Sequence, residues 1–170
     1  MRAFAAPMAK PGFGSIVNIG SIKGVVGPTV SLYDNLDMPV QPNYFFNKGG
    51  RTSLTRFFAA YYGAKGVRVN CIAADGFRTK DMNPIFVKRY ERETFLRRMA
   101  DDQDLGGPVT FLLSESSRSI TGVTLPVDGG YTAHLNRFRR LRLVACFRRY
   151  SYRDSITAAT SAASAMSRYR

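Results

Sequence analysis

A chain of 170 residues with 45% apolar content is long enough to bury a substantial core and short enough to be one domain. Its net charge of +13 invites a nucleic-acid role, yet nine arginines and a single acid fall after residue 134, so much of the excess belongs to one end. No run approaches the ~18 apolar residues of a membrane span, and the two cysteines, Cys71 and Cys146, fit neither metal-ligand nor disulfide-framework spacing.

In chain order, MRAFAAPMAKPGFG reads as the end of a helix followed by a turn at Gly12 and Gly14. It has no long apolar core before a small-residue cleavage site, so a cytoplasmic protein is expected. Ser15 to Gly20 is a short apolar strand of parallel-sheet character. The stretch from Ile22 to Pro42 is punctuated by Gly, Pro, Asn and Asp and reads mostly as loop. Pro42 fits the first turn of a helix, where its missing N–H costs little. That helix is predicted to run to about Tyr62, with Phe45, Phe46, Leu54, Phe57, Phe58 and Tyr61 as apolar positions and Gly63 and Gly66 as its stop. Val67 to Ile72 is a second strand, in which Cys71 has a buried thiol as its default role. Residues 81–99 form a charged, partly helical crossover. Asp101 or Asp102 can cap a helix over Gln103 to Leu113, although Pro108 conflicts with that pattern. Val123 to Val127 is the last strand. Strand, helix, strand, helix, strand implies an α/β fold with parallel pairing.

Tyr44 and Lys48, four residues apart on the predicted long helix, project from one face. A phenol with its ordinary pKa of ~10 is a poor acid or base at neutral pH, and a neighbouring ammonium favours phenolate. Ser21, at the carboxyl end of the first strand, could orient a carbonyl beside that phenol, although a turn or capping role is the commoner one for such a serine. Together they form equipment for moving a proton while a hydride moves elsewhere. SIVNIGSIKG, Tyr44 to Lys48, GVRVNCIAADGFRT and DLGGPVTFLLSESSRSITGVTLPVDGG occur in an order that resembles the short-chain dehydrogenase/reductase family, from about Ala5 to Tyr131. The resemblance covers roughly the C-terminal half of a usual member. It implies a partial Rossmann-like parallel sheet and an oxidoreductase that uses NAD or NADP to interconvert a small-molecule alcohol and its carbonyl. Ser21 then matches the substrate-orienting serine and Tyr44 the acid/base tyrosine. Lys48 matches the lysine that binds the nicotinamide ribose and lowers the tyrosine pKa. The family resemblance also implies a homo-oligomer, built with the long helix and the last strand.

Departures from the family pattern are equally informative. No Gly-rich turn precedes Ser15, so the pyrophosphate-binding element is missing, and the family's relay asparagine has no counterpart, because Asn18 lies within a strand. The chain is therefore expected to be a truncated domain, with weak cofactor binding and an exposed sheet edge that favours aggregation. The 23-residue separation from Ser21 to Tyr44 exceeds the common family spacing, so TVSLYDNLDM is expected to enlarge the loop over the substrate. Its Tyr33, Asp34, Asn35 and Asp37 could contact a sugar-like, hydroxylated substrate, with solvated-loop duty as the alternative. Ala74 and Asp75 stand where the family carries Pro-Gly, and Thr79 is retained as the match to a residue that bonds the nicotinamide carboxamide. Asp75 could bring negative charge near the cofactor or cap its own backbone. Arg78 reads as a solvated loop side chain rather than a phosphate contact.

The domain is expected to comprise residues 1–134, and 135–170 to be a basic, disordered or adventitious tail. Its Arg-without-Lys usage and Ser/Ala-rich end look foreign to the body, and a shifted frame or fused sequence is the favoured explanation. A basic helix that meets a membrane surface or nucleic acid is the alternative. The body has neither an aromatic stacking surface nor a basic recognition motif, which argues against nucleic acid as its partner.

Overall fold

The computed structural model describes residues 1–133; the basic segment 135–170 lies outside the described residues. Strands β1 (Gly14–Ile19), β2 (Val67–Ala74) and β3 (Thr124–Val127) form a parallel sheet in the order β1-β2-β3. Helix α1 (Arg2–Ala9) precedes β1, α2 (Pro42–Gly63) joins β1 to β2, and α3 (Pro84–Glu93) and α4 (Gly106–Leu113) lie between β2 and β3. The register runs from Gly14 opposite Val67 to Ile19 opposite Ile72, and from Cys71 opposite Thr124 to Ala74 opposite Val127. With α1 and α2 packed on one face of the sheet and α4 on the other, this is the α/β architecture with parallel pairing that the sequence predicts.

The central strand alternates between two layers, as the period-2 geometry of a strand requires. Val67 and Val69 pack with Ala5, Ala59 and Tyr62 under α1 and α2. Ile72 and Ala74 pack with Leu112 of α4 on the opposite face. A third cluster, which includes Ile22, Leu32, Phe86, Tyr90 and Tyr131, closes around Ala73 near the end of β2. Cys71 is buried, as expected. Helix α2 begins with proline at its first turn and buries Thr55, Ala59 and Tyr62, a spacing of four and three that defines one face. Several of its large apolar residues lie off that face: Phe46 is 85% exposed and Leu54, Phe57 and Tyr61 are exposed too. After α2 the chain reverses at Gly66, whose φ is +73° and where a Cβ would come within 1.8 Å of the Gly12 carbonyl oxygen.

Two predicted boundaries shift for identifiable reasons. β2 continues past Ile72, because Ala73 and Ala74 still pair with Pro126 and Val127, and this moves Ala74 from a loop into the sheet. The last helix starts at Gly106 rather than Gln103, so Pro108 falls in its first turn, where no N–H is needed. Neither Asp101 nor Asp102 caps it: Asp101 accepts the Gln103 N–H in a turn, and Leu105 occupies the cap position. Asp104 is held in a two-point pair by Arg98 at 2.6 and 2.7 Å. The charged crossover contains a regular helix, α3, which Asn83 caps through the Ile85 N–H.

The C-terminus of α4 depends on a residue of β2. Arg68 donates to the carbonyl oxygens of Leu112, Ser114 and Ile120 and to Ser117 Oγ. A cation there satisfies the orphan carbonyls of the last helical turn and complements its partial negative charge. Arg68→Met, which keeps the aliphatic stem, is expected to lower stability by about 2–3 kcal/mol, read as a lower urea midpoint at unchanged slope.

Candidate functional site

The carboxyl ends of β1 and β2 open onto a cavity of about 280 Å³. Parallel sheets present their ligand crevices at this edge, because the chain leaves each strand there into loops that can diverge. Ser21 follows β1, is 7% exposed and lines the cavity. Its Oγ accepts the Lys23 N–H at 3.2 Å, so it caps the short turn Ile22–Gly24 and faces the cavity as well. Both readings of this serine from the sequence are therefore compatible in one position.

That turn is seated directly on α2. A Cβ on Gly24 would meet the Lys48 carbonyl oxygen at 2.5 Å, so only glycine allows the approach. The close seating brings Ser21 to the helix that carries Tyr44 and Lys48. Lys48 Nζ donates to the Gly20 carbonyl oxygen at 3.3 Å and stands 5.4 Å from the centre of the Tyr44 ring. Tyr44 lines the cavity and is 46% exposed. Asn18 donates to Thr55 Oγ1 at 2.8 Å and thus ties β1 to α2, in keeping with a structural role.

Asp75 lines the same cavity and is 7% exposed. Tyr90 of α3 donates its hydroxyl hydrogen to Asp75 Oδ1 at 2.5 Å and accepts the Gly76 N–H at 2.9 Å. Burial pushes the Asp75 carboxyl up to about 6, with Asp128 adding to the rise and the Tyr90 bond and Lys23 opposing it. Burial and the adjacent carboxyl push the Tyr90 phenol far above its ordinary range, so it remains a donor. Because the folded state holds the Asp75 proton more tightly than the unfolded chain, this linkage stabilises the fold fully below pH ~4 and is lost as pH rises through about 6. Asp75→Asn is therefore expected to be more favourable to stability at about pH 8 than at about pH 4, by about 2–3 kcal/mol between the two conditions. Paired urea titrations check it; an equal effect at both would contradict it.

The remaining predicted positions divide. Ala74 turns its side chain to the opposite layer, against Leu112. Thr79 is exposed and does not line the cavity. Of the four polar residues singled out in the longer loop, Tyr33 lines the cavity, 5.4 Å from the Phe86 ring, whereas Asp34, Asn35 and Asp37 are exposed. Arg89 of α3 fastens this loop by donating to the Leu32 and Asp34 carbonyl oxygens at 3.2 and 2.7 Å. Arg78 is exposed beside Glu91, as expected. Sequence reasoning missed Lys23, Tyr90 and Tyr131. The one available signal was the spacing of Phe86, Val87 and Tyr90, which marks a buried helical face.

The residues present fit one end of a dinucleotide. Lys48 and Tyr44 offer an ammonium and a hydroxyl beside the cavity, suited to ribose and nicotinamide. The pyrophosphate finds no cradle among the described residues. β1 leads into a turn closed by Ser21, and β2 leads into irregular chain before Pro84, so neither is followed by a Gly-rich helix start. No helix among the described residues is long and apolar enough to cross a membrane, and no group of three or more His, Cys, Asp or Glu among them could hold a metal ion.

Residues 1–132 match a family model described as Enoyl-(Acyl carrier protein) reductase. The chain is 34% identical over 130 residues to Post-translational flagellin modification protein A of Campylobacter coli, covering 76% of this chain and 50% of that protein. Its fold is similar to a gluconate 5-dehydrogenase of Burkholderia cenocepacia solved with NADP and tartrate, with a TM-score of 0.68 and 28% identity over 79% of this chain and 51% of that one. It is also similar to a short chain dehydrogenase of Leptospira borgpetersenii with bound NAD+, with a TM-score of 0.67 and 34% identity over 75% and 48% of the two chains. The chain thus spans about half the length of the relatives it matches.

Proposed function

The chain belongs to the short-chain dehydrogenase/reductase family, and from that premise we propose that it carries the substrate and acid/base end of an NAD(P)-dependent oxidoreductase interconverting a hydroxyl and a carbonyl. The observation that carries the proposal is the convergence of Ser21 and Tyr44 on one cavity, with the Lys48 ammonium over the Tyr44 ring. Ser21 Oγ holds the substrate oxygen, and Tyr44 Oη gives or takes its proton. By the family resemblance, Lys48 meets the nicotinamide ribose. Ala74, Asp75 and Thr79 border the nicotinamide on the same resemblance. Ala74 does so through its backbone, because its side chain packs on the other layer. The nicotinamide, when bound, supplies or accepts the hydride.

A sugar-like substrate is supported by the longer loop that brings Tyr33 to the cavity. The exposed apolar residues of α2, Phe46, Leu54, Phe57 and Tyr61, support self-association, as does the outer edge of β1, which pairs with no strand among the described residues. The cytoplasm is the compartment we assign. With no pyrophosphate cradle described, the 170-residue chain alone is an impaired enzyme. The test is hydride transfer, followed by nicotinamide absorbance, in a protein that joins this chain to the N-terminal half of a matched relative. Turnover of a hydroxylated substrate by that protein is the expected result; cofactor binding without turnover of any alcohol or carbonyl would overturn the proposal.

A further inference from the structure

We infer that Asp75 and Lys23 form a second polar pole in the cavity that Ser21 and Tyr44 share, and that this pole selects a polyol or sugar-like alcohol over an apolar alcohol of equal length. The inference rests on the oxidoreductase reading for the identity of the reacting oxygen; the second pole stands on its own geometry. Asp75 and Lys23 line the same cavity as the hydroxyl and phenol. The Asp75 carboxyl is fixed, because the Tyr90 hydroxyl that binds Oδ1 at 2.5 Å is itself anchored by the Gly76 N–H. Lys23 Nζ donates one bond to Tyr131 Oη at 3.1 Å and lies 4.7 Å from the centre of that ring. An ammonium carries three donors and a carboxylate accepts through both oxygens, so the pair retains capacity for a ligand.

A hydroxyl group both donates and accepts. A ligand with several hydroxyls therefore satisfies the acceptor and the donor together. An apolar ligand displaces water from both and returns nothing, and this asymmetry makes polar sites strict about hydroxyls. A carboxylate ligand would gain from Lys23 and lose against Asp75, so a neutral polyol is the better match. Tyr33, Phe86, Met82 and Met99 supply the apolar wall that its C–H groups require.

Several charged and titratable groups surround Asp75: Tyr90 on α3, Lys23 after β1 and Asp128 after β3. Arg98 and Asp104 lie across a smaller neighbouring cavity that Asp75 also lines. Since the Asp75 carboxyl titrates near pH 6, acidification should weaken its acceptance of a ligand hydroxyl.

The experiment is saturation-transfer NMR on the purified 170-residue chain, titrated with galactitol and with 1-hexanol at about pH 8 and about pH 5. Galactitol is expected to bind about tenfold more tightly than 1-hexanol at the higher pH. Asp75→Asn and Lys23→Met should each erase most of that preference, with 1-hexanol held within about twofold. In the unmodified chain galactitol should weaken about three- to fivefold at the lower pH, a change absent from Asp75→Asn. That pH comparison needs no variant to fold. Equal binding of the two ligands, or a galactitol affinity indifferent to both pH and substitution, would overturn the inference. Binding of neither would do so too, because the cavity would then not be a ligand site in this chain. In all three cases Tyr44-dependent hydride transfer in the joined protein remains a separate result, so the two readings fail independently.

Discussion

Tyr44→Phe, made in a protein that joins this chain to the N-terminal half of a relative, is expected to lower kcat by about 10³ or more while leaving the cofactor dissociation constant within about twofold. The substitution deletes one oxygen. The ring keeps its place beneath the Lys48 ammonium, 5.4 Å from its centre, and Lys48 keeps its bond to the Gly20 carbonyl oxygen. Tyr44 is 46% exposed, so removal of its hydroxyl leaves no buried partner unsatisfied and unfolding cannot account for the loss. The loss should appear in kcat rather than in KM alone, because proton transfer belongs to the transition state and not to ground-state binding. Turnover equal to that of the unmodified protein would exclude Tyr44 as the acid/base group.

The parts of this site that were legible in the sequence are those written in local spacing. Tyr44 and Lys48 are separated by one helical turn, and Pro42 marks the start of their helix, so their common face follows from the helix alone. Ser21 is legible because a strand must end where its apolar run ends. What brings that serine to α2 is not local. Gly24 sits against the backbone at Lys48, and a glycine in a loop gives no sign of which distant carbonyl it approaches. The Asp75–Tyr90 pair is hidden for the same reason: fifteen residues and a loop separate the two. A carboxyl after a strand reads as a turn residue until its phenol partner is in place. The late start of α4 is signalled by Pro108 rather than by the acids at 101 and 102, since a proline at the third position of a helix places the start just before it.

The absence of a described pyrophosphate cradle has the other large consequence. A dinucleotide is held chiefly where backbone N–H groups and a helix N-terminus meet its phosphates. In the described chain β1 and β2 both leave the sheet without such a turn. On the reading proposed above, what remains for the cofactor is the Lys48 ammonium and the Tyr44 hydroxyl beside the cavity. Loss of the phosphate contacts should weaken binding by about 10³ or more, which corresponds to roughly 4 kcal/mol. The most direct measurement is isothermal titration of the purified 170-residue chain with NADH and with NADPH. The predicted result is no saturable heat with a dissociation constant below about 1 mM for either cofactor; a micromolar constant for either would contradict the account, because the cofactor would then be held by this chain itself.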